Sequence, residues 1–287
     1  MKDDIERMRS IVAEKIADAV EGLCVISNFN VTPDVLTFLQ NARSMESNKL
    51  AVDILDIIIE NHVSASQIGL PVCQDTGIVV VFAEVGQDLH IVGDFRKAIE
   101  SGVRRAYRKA KLRNSVVRDP LFDRTNTGDN CPAIIHTELV AGNSLRLIVM
   151  PKGAGAENMS RIAMLNPTDG EDGIAAFIIE TVRQAGGNAC PPIIVGVGIG
   201  GDFEYAAILA KKALTIDLDI QNPDPNWANL ESKALSEINR LGIGPQGLGG
   251  KTTALAVKIL HAPCHIASLP VAINIQCHAA RHAEIIL

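Results

Sequence analysis

The chain has 287 residues, 47% hydrophobic and 21% charged, with a mean hydropathy of +0.18. That profile is globular and excludes a disordered or fibrous chain. A net charge of −6 without a dense Lys/Arg block, and only 3% aromatic residues, exclude a dedicated nucleic-acid binder, which needs a basic footprint or base-stacking rings.

In chain order, the first segment places Ile5, Met8, Val12, Ile16, Ala19 and Leu23 at helical spacing. Charges recur through it, so it reads as part of the fold and not as a signal peptide. No apolar run reaches the roughly 18 residues of a bilayer span. A cytoplasmic protein without a membrane partner is expected. The first ~110 residues read as largely helical by apolar periodicity. Thr32-Pro33-Asp34 is a helix start, with a capping hydroxyl, Pro in the first turn and an acid at the positive end of the dipole. A second apolar stripe, Leu50, Ala51, Ile54, Leu55 and Ile58, predicts a helix over 48–61.

Residues 77–85 (GIVVVFAEV) are β-branched and strand-like. A helix over 94–111 carries Arg104, Arg105 and Arg108, expected on a solvated face. Strands over 134–140 and 144–150 flank Ala-Gly-Asn, which suggests a hairpin. A polar glycine loop, 151–158, follows. Helices over 173–184, 204–214 and 227–241 surround a buried strand at 192–198, and GIGPQGLGG (242–250) opens a β-like C-terminal segment. The whole reads as one α+β domain over 1–287, a mixed sheet with helices and a largely helical N-terminal lobe over about 1–70.

Two glycine runs imitate nucleotide sites. Gly196-Val-Gly198-Ile-Gly200-Gly201 follows a strand and precedes a helix, the context of a dinucleotide fingerprint. An NAD-binding oxidoreductase is therefore the rival reading from a different class. Gly250-Lys251-Thr252 ends like a Walker A loop, but Pro245 stands where that motif needs glycine.

The six cysteines include no CxxC pair, and a cytosolic chain keeps them reduced. Cys73, Cys190 and Cys277 stand in polar, turn-forming sequence, at junctions suited to thiolates that face a pocket. Cys24, Cys131 and Cys264 read as buried core residues. Spacing alone does not assign a shared metal.

The motifs PVCQDTG (71–77), NTGDNCPA (126–133), PKGAGAEN (151–158), CPPIIVGVGIGG (190–201), LGIGPQGLGGKTTALAV (241–257) and HIASLPVAINIQCHAAR (265–281) cover most of the chain. On them it resembles the α subunit of the two-subunit class I fumarases and the related L-tartrate dehydratases, which are iron–sulfur hydro-lyases. The resemblance implies a [4Fe–4S] cluster on Cys73, Cys190 and Cys277 that leaves one iron without a protein ligand. It implies catalytic roles for Asp75 and His265. Gln74, Arg113 and the Gly153 loop would bind a small dicarboxylate substrate, with Arg118 and Arg124 competing for the role of Arg113.

Fumarate and (S)-malate are the expected substrate pair, and L(+)-tartrate, giving oxaloacetate, is the alternative. Single-chain members of the family continue past the CHAAR motif with Arg and Lys clamps and a Thr proposed as base. A separate β subunit is therefore expected to complete the site in an α2β2 assembly, with the α chain alone nearly inactive.

Overall fold

The computed structural model describes residues 9–287. The chain forms two compact units. One takes the chain up to Asn30, with Ala65–Gly153 and Arg281–Leu287, and the other takes Val31–Ser64 and Ala154–Ala280. Three helices fill residues 13–68, and they are divided between these units. The fold is α+β.

The first unit opens on β1 (Arg9–Val12), which pairs in parallel with β3 (Leu89–Val92). The helical spacing expected from Ile5 onward holds only from α1 (Ala13–Phe29). Ile5 and Met8 lie outside the described residues, and Val12 belongs to the strand. The main sheet has the order β10 (Ala283–Ile286), β5 (Leu145–Lys152), β2 (Ile78–Gly86), β4 (Ile134–Val140).

The expected hairpin of β4 and β5 does not form. The two strands flank β2, which pairs with β4 in parallel and with β5 antiparallel. Their short connection crosses the end of β2 at Gly86, where a Cβ would lie 2.4 Å from the Gly142 carbonyl oxygen. The Gly86 amide donates to the Ser144 carbonyl at 2.9 Å. The missing side chain lets the connection pass this close to the end of β2.

Val79, Val81, Ala83 and Val85 alternate along β2 and join α1 and α4 (Phe95–Lys109) in one core. Asp94 caps α4, its Oδ1 accepting from the Lys97 amide at 3.0 Å. Arg105, expected on a solvated face, pairs with Glu14, Asp18 and Glu21 of α1.

In the second unit, α2 (Pro33–Met45) starts where expected, but Thr32 makes no capping bond. Asp34 instead accepts from the Leu218 amide at 2.7 Å. The stretch Ala13–Met45 is apolar enough on average to resemble a membrane span. It is nonetheless broken after α1, and α1 buries Ile16, Val20 and Leu23 in the first core. Helix α3 (Lys49–Ile68) follows α2.

A four-stranded sheet runs β6 (Arg161–Leu165), β9 (Leu269–Gln276), β7 (Ile193–Gly201), β8 (Ala254–Cys264). Ile193, Val195, Val197 and Ile199 share a core with α6 (Gly170–Ala185) and α8 (Pro225–Arg240). Each fully buried side chain of this kind contributes roughly 1.5–3 kcal/mol. The alternate positions on β7 meet α7 (Phe203–Ala213). Cβ atoms at Gly196 and Gly198 would lie 2.2 and 2.0 Å from the carbonyl oxygens of Ala210 and Ala206. Gly196 and Gly198 are therefore strand positions on which a helix backbone rests, while Gly200 and Gly201 end the strand just before α7, whose cap is the acidic Asp202. The Lys251 amide donates to Glu46 at 2.6 Å, and its ammonium donates to the Met45 carbonyl. The Walker-like run therefore staples α2.

Candidate active site

Each unit builds one cradle under a cysteine-bearing turn. In the first unit, residues 72–77 carry Cys73 and Asp75 half-buried and Gln74 exposed. Side chains and backbone from elsewhere in the sequence hold this turn. The Val72 amide donates to the Asn28 carbonyl at 2.9 Å. The Asp75 carbonyl accepts from Arg281 Nη2 at 2.7 Å. The Tyr107 hydroxyl reaches the carbonyls of Thr76 at 2.6 Å and Gly77 at 3.1 Å. Asn130 Nδ2 donates to the Gly77 carbonyl at 3.0 Å. A turn satisfied at so many carbonyls holds its side chains in one direction.

Asp75 is further oriented by its own turn, with Oδ1 accepting from the Gly77 amide at 3.0 Å. Its Oδ2 faces Gly153, where a Cβ would lie 3.2 Å away. Gly153 follows β5 directly, and α5 (Ala154–Glu157) begins one residue later. The segment 151–158 is thus largely ordered structure and not the open loop expected.

Of the three competing arginines, Arg113 stands beside this turn. Its carbonyl accepts from Thr76 Oγ1 at 2.8 Å, and the nearby Ser115 amide donates to Asn130 at 2.7 Å. The Arg113 side chain is exposed. Arg118 and Arg124 occupy an exposed loop closed on itself, through the Arg118 amide to the Thr125 carbonyl and Arg124 Nη1 to the Pro120 carbonyl.

In the second unit, Cys190 ends a short 3-10 turn in the left-handed region, at φ +52°. A non-glycine residue in that region carries backbone strain. The Cys190 carbonyl accepts from the His278 amide, next to Cys277, at 3.4 Å. Two of the three expected ligand segments thus meet at one end of the β7/β9 pair. The Pro191 carbonyl accepts from both the backbone and side-chain nitrogens of Gln246, at 2.8 and 3.2 Å. The glycine-rich run 242–250 is therefore the support of the Cys190 turn. His278 Nδ1 lies 3.2 Å from Nε2 of the buried His62 on α3.

His265 is placed differently. It lies on the exposed turn joining β8 to β9, beside Ile266. Cys277 follows the other end of β9. The eight residues of that strand separate His265 from the Cys190–Cys277 end by roughly 25 Å at about 3.3 Å per residue.

None of the six cysteines forms a disulfide. Cys24 and Cys131 are buried, and burial pushes the Cys24 thiol far up and the Cys131 thiol to about 11. Both therefore favour the protonated thiol over the thiolate that metals bind. Cys264, expected in the core, is exposed. Among the described residues, no group of three His, Cys, Asp or Glu converges as a single-ion site would require. A cluster asks for something else, one thiolate on each of several irons. Cysteines outside disulfides, on braced turns, supply that donor set, and Cys73, Cys190 and Cys277 fit it in chemistry.

Sequence reasoning did not single out Asn28, Tyr107, Asn130, Gln246, His62 or Arg281 for the site. Asn130, Gln246 and Arg281 stand within the quoted motifs, a local signal that Asn28, Tyr107 and His62 lack. Residues 17–286 match the family described as fumarate hydratase (Fumerase). A Methanocaldococcus jannaschii protein with the provisional name L(+)-tartrate dehydratase subunit alpha is 43% identical over 275 residues, 94% of this chain and 96% of that one. The L(+)-tartrate dehydratase subunit alpha of Escherichia coli K12 is 30% identical over 286 residues, 98% of this chain and 94% of that one. The protein of the same name in Shigella boydii serotype 4 is equally similar.

Proposed function

This chain belongs to the fumarate hydratase (Fumerase) family, and from that premise we propose that it hydrates fumarate to (S)-malate, reversibly, as the α subunit of a hydro-lyase. The observation that carries the reading is the braced turn 72–77, which holds a free thiol and a carboxylate two residues apart beside the Arg113 backbone.

Cys73, Cys190 and Cys277 are the residues that would hold a [4Fe–4S] cluster. When bound, such a cluster supplies a Lewis-acidic iron for the substrate hydroxyl. Hydration adds a proton to one olefinic carbon and hydroxide to the other. Asp75 is this chain's carboxyl group for moving that proton, because its Oδ1 is fixed by the Gly77 amide. Gln74 donates a neutral hydrogen bond to the substrate, and Arg113 binds a carboxylate in forked geometry. Gly153 keeps the space before Asp75 Oδ2 open. His265, the other expected catalytic residue, stands at the other end of β9 from Cys277.

The naming of the relatives as α subunits supports a separate β subunit, in an α2β2 assembly with further cationic clamps on the substrate. Reduced thiols go with a cytoplasmic location. The same names favour a second reading, dehydration of L(+)-tartrate to oxaloacetate. An anaerobic panel of the α chain with its β subunit, using fumarate, (S)-malate and both tartrate enantiomers, tests the two. Fumarate and malate turning over faster than tartrate supports the first reading. A preference for L(+)-tartrate replaces it with the second, and no turnover of any dicarboxylate overturns both. The α chain alone is expected to bind iron and sulfide with negligible turnover.

A further inference from the structure

Arg281 is 2% exposed, yet its hydrogen bonds go to two neutral oxygens. Nη2 donates to the Asp75 carbonyl at 2.7 Å, and Nη1 to Asn28 Oδ1 at 3.3 Å. Its Nε is buried without a hydrogen-bond partner. A buried guanidinium ordinarily faces a carboxylate, because desolvating the charge is costly. Here the arginine spends its shortest bond on the backbone of one residue.

That backbone bond has a direct effect on the side chain. Fixing the Asp75 carbonyl fixes the peptide plane after it, and with it the direction in which the side chain leaves Cα. The Gly77 amide then pins Oδ1. Oδ2 and Arg281 Nη2 lie 3.2 and 3.7 Å from the same point, the place a Gly153 Cβ would take. The guanidinium and the carboxylate therefore both border Gly153, with the arginine itself buried. Asn28, the other acceptor, is itself buried and donates to the Cys24 carbonyl at 2.9 Å, so the bracket is anchored in α1.

We propose that Arg281 is a positioning residue for the reaction, aiming the Asp75 carboxylate at the substrate through the Asp75 carbonyl. The proposal rests on the reading of Asp75 as the proton-transfer group, and it gives Arg281 no contact with substrate.

The test uses the α chain assembled with its β subunit, in wild type, Arg281→Met, Arg281→Lys, Asp75→Asn and the double variant Asp75→Asn/Arg281→Met. Arg281→Met should lower kcat by ~10–100-fold while KM stays within about threefold and iron content is unchanged. Arg281→Lys, which keeps one charged donor, should recover part of the loss. The double variant should be no slower than Asp75→Asn, because residues acting as one unit are not additive. Independently of activity, amide exchange at Gly77 in the full α chain should quicken in Arg281→Met while exchange in β2 does not.

A rise in KM with kcat retained overturns the proposal in favour of substrate contact, as does full additivity in the double variant. If Arg281→Met fails to fold, Arg281→Lys decides, and unchanged kcat with unchanged Gly77 exchange overturns the proposal. Wild-type kcat in Asp75→Asn instead defeats the reading of Asp75, whatever Arg281 does.

Discussion

Tyr107 donates its hydroxyl to the carbonyl of Thr76 at 2.6 Å, one residue beyond Asp75. The ring is buried on α4, and the same oxygen lies 3.1 Å from the Gly77 carbonyl. Helix α4 therefore reaches through the core to hold the turn that carries Cys73. Tyr107→Phe removes only the hydroxyl and leaves buried carbonyls under-satisfied. It should cost about 1–3 kcal/mol in urea unfolding, and the variant should retain less iron after anaerobic reconstitution. Unchanged stability and iron content would show that the turn does not depend on this bond.

A pair of glycines separates space from conformation. Gly198 meets the α7 backbone, with the Ala206 carbonyl oxygen 2.0 Å from its missing Cβ. Gly198→Ala must push the helix off the sheet and should cost about 2–3 kcal/mol. Gly22, inside α1, has nothing within 4 Å of its missing Cβ. Gly22→Ala should stabilise the chain by about 0.5–1 kcal/mol. Thermal unfolding of the two variants should move in opposite directions. If Gly198→Ala instead bound NAD less tightly than wild type, the nucleotide reading of this run would return.

Burial pushes the Cys131 thiol to about 11 from an ordinary value of 9.0. The folded chain keeps that proton through a range in which the unfolded chain has lost it. Stability is therefore fully present below pH ~9 and is lost as the pH rises through ~11. Cys24 and Tyr107, both raised by burial, act in the same direction. Urea midpoints of wild type should fall between pH ~8 and ~10.5, and those of Cys131→Ala should fall less. Parallel loss in both proteins would remove Cys131 from this account.

Most of the elements were legible in the sequence, because apolar periodicity and capping residues are local. Pro33 at the start of α2, Asp94 at the cap of α4 and the β-branched run of β2 all express themselves within a few residues. The pairing of β4 and β5 was not legible. The turn between them reads as a hairpin, whereas it packs against Gly86, more than 50 residues away along the chain. GVGIGG failed in the same way, since its glycines answer to a helix that packs on them. The cysteines and Asp75 stood out by their polar, turn-rich context. The residues that hold them did not, because Asn28, Tyr107, Asn130 and Arg281 act through contacts 30 to 253 residues apart.

In the proposed function, Cys73, Cys190 and Cys277, and no other cysteines, hold the iron–sulfur cluster of a hydro-lyase. The direct test is to count iron and sulfide in the anaerobically reconstituted chain and in six single Cys→Ser variants. Serine at 73, 190 or 277 should remove most of the iron and sulfide, while serine at 24, 131 or 264 should leave the wild-type content. Full cluster content in any of the first three variants, or its loss on changing Cys264 alone, would contradict that assignment.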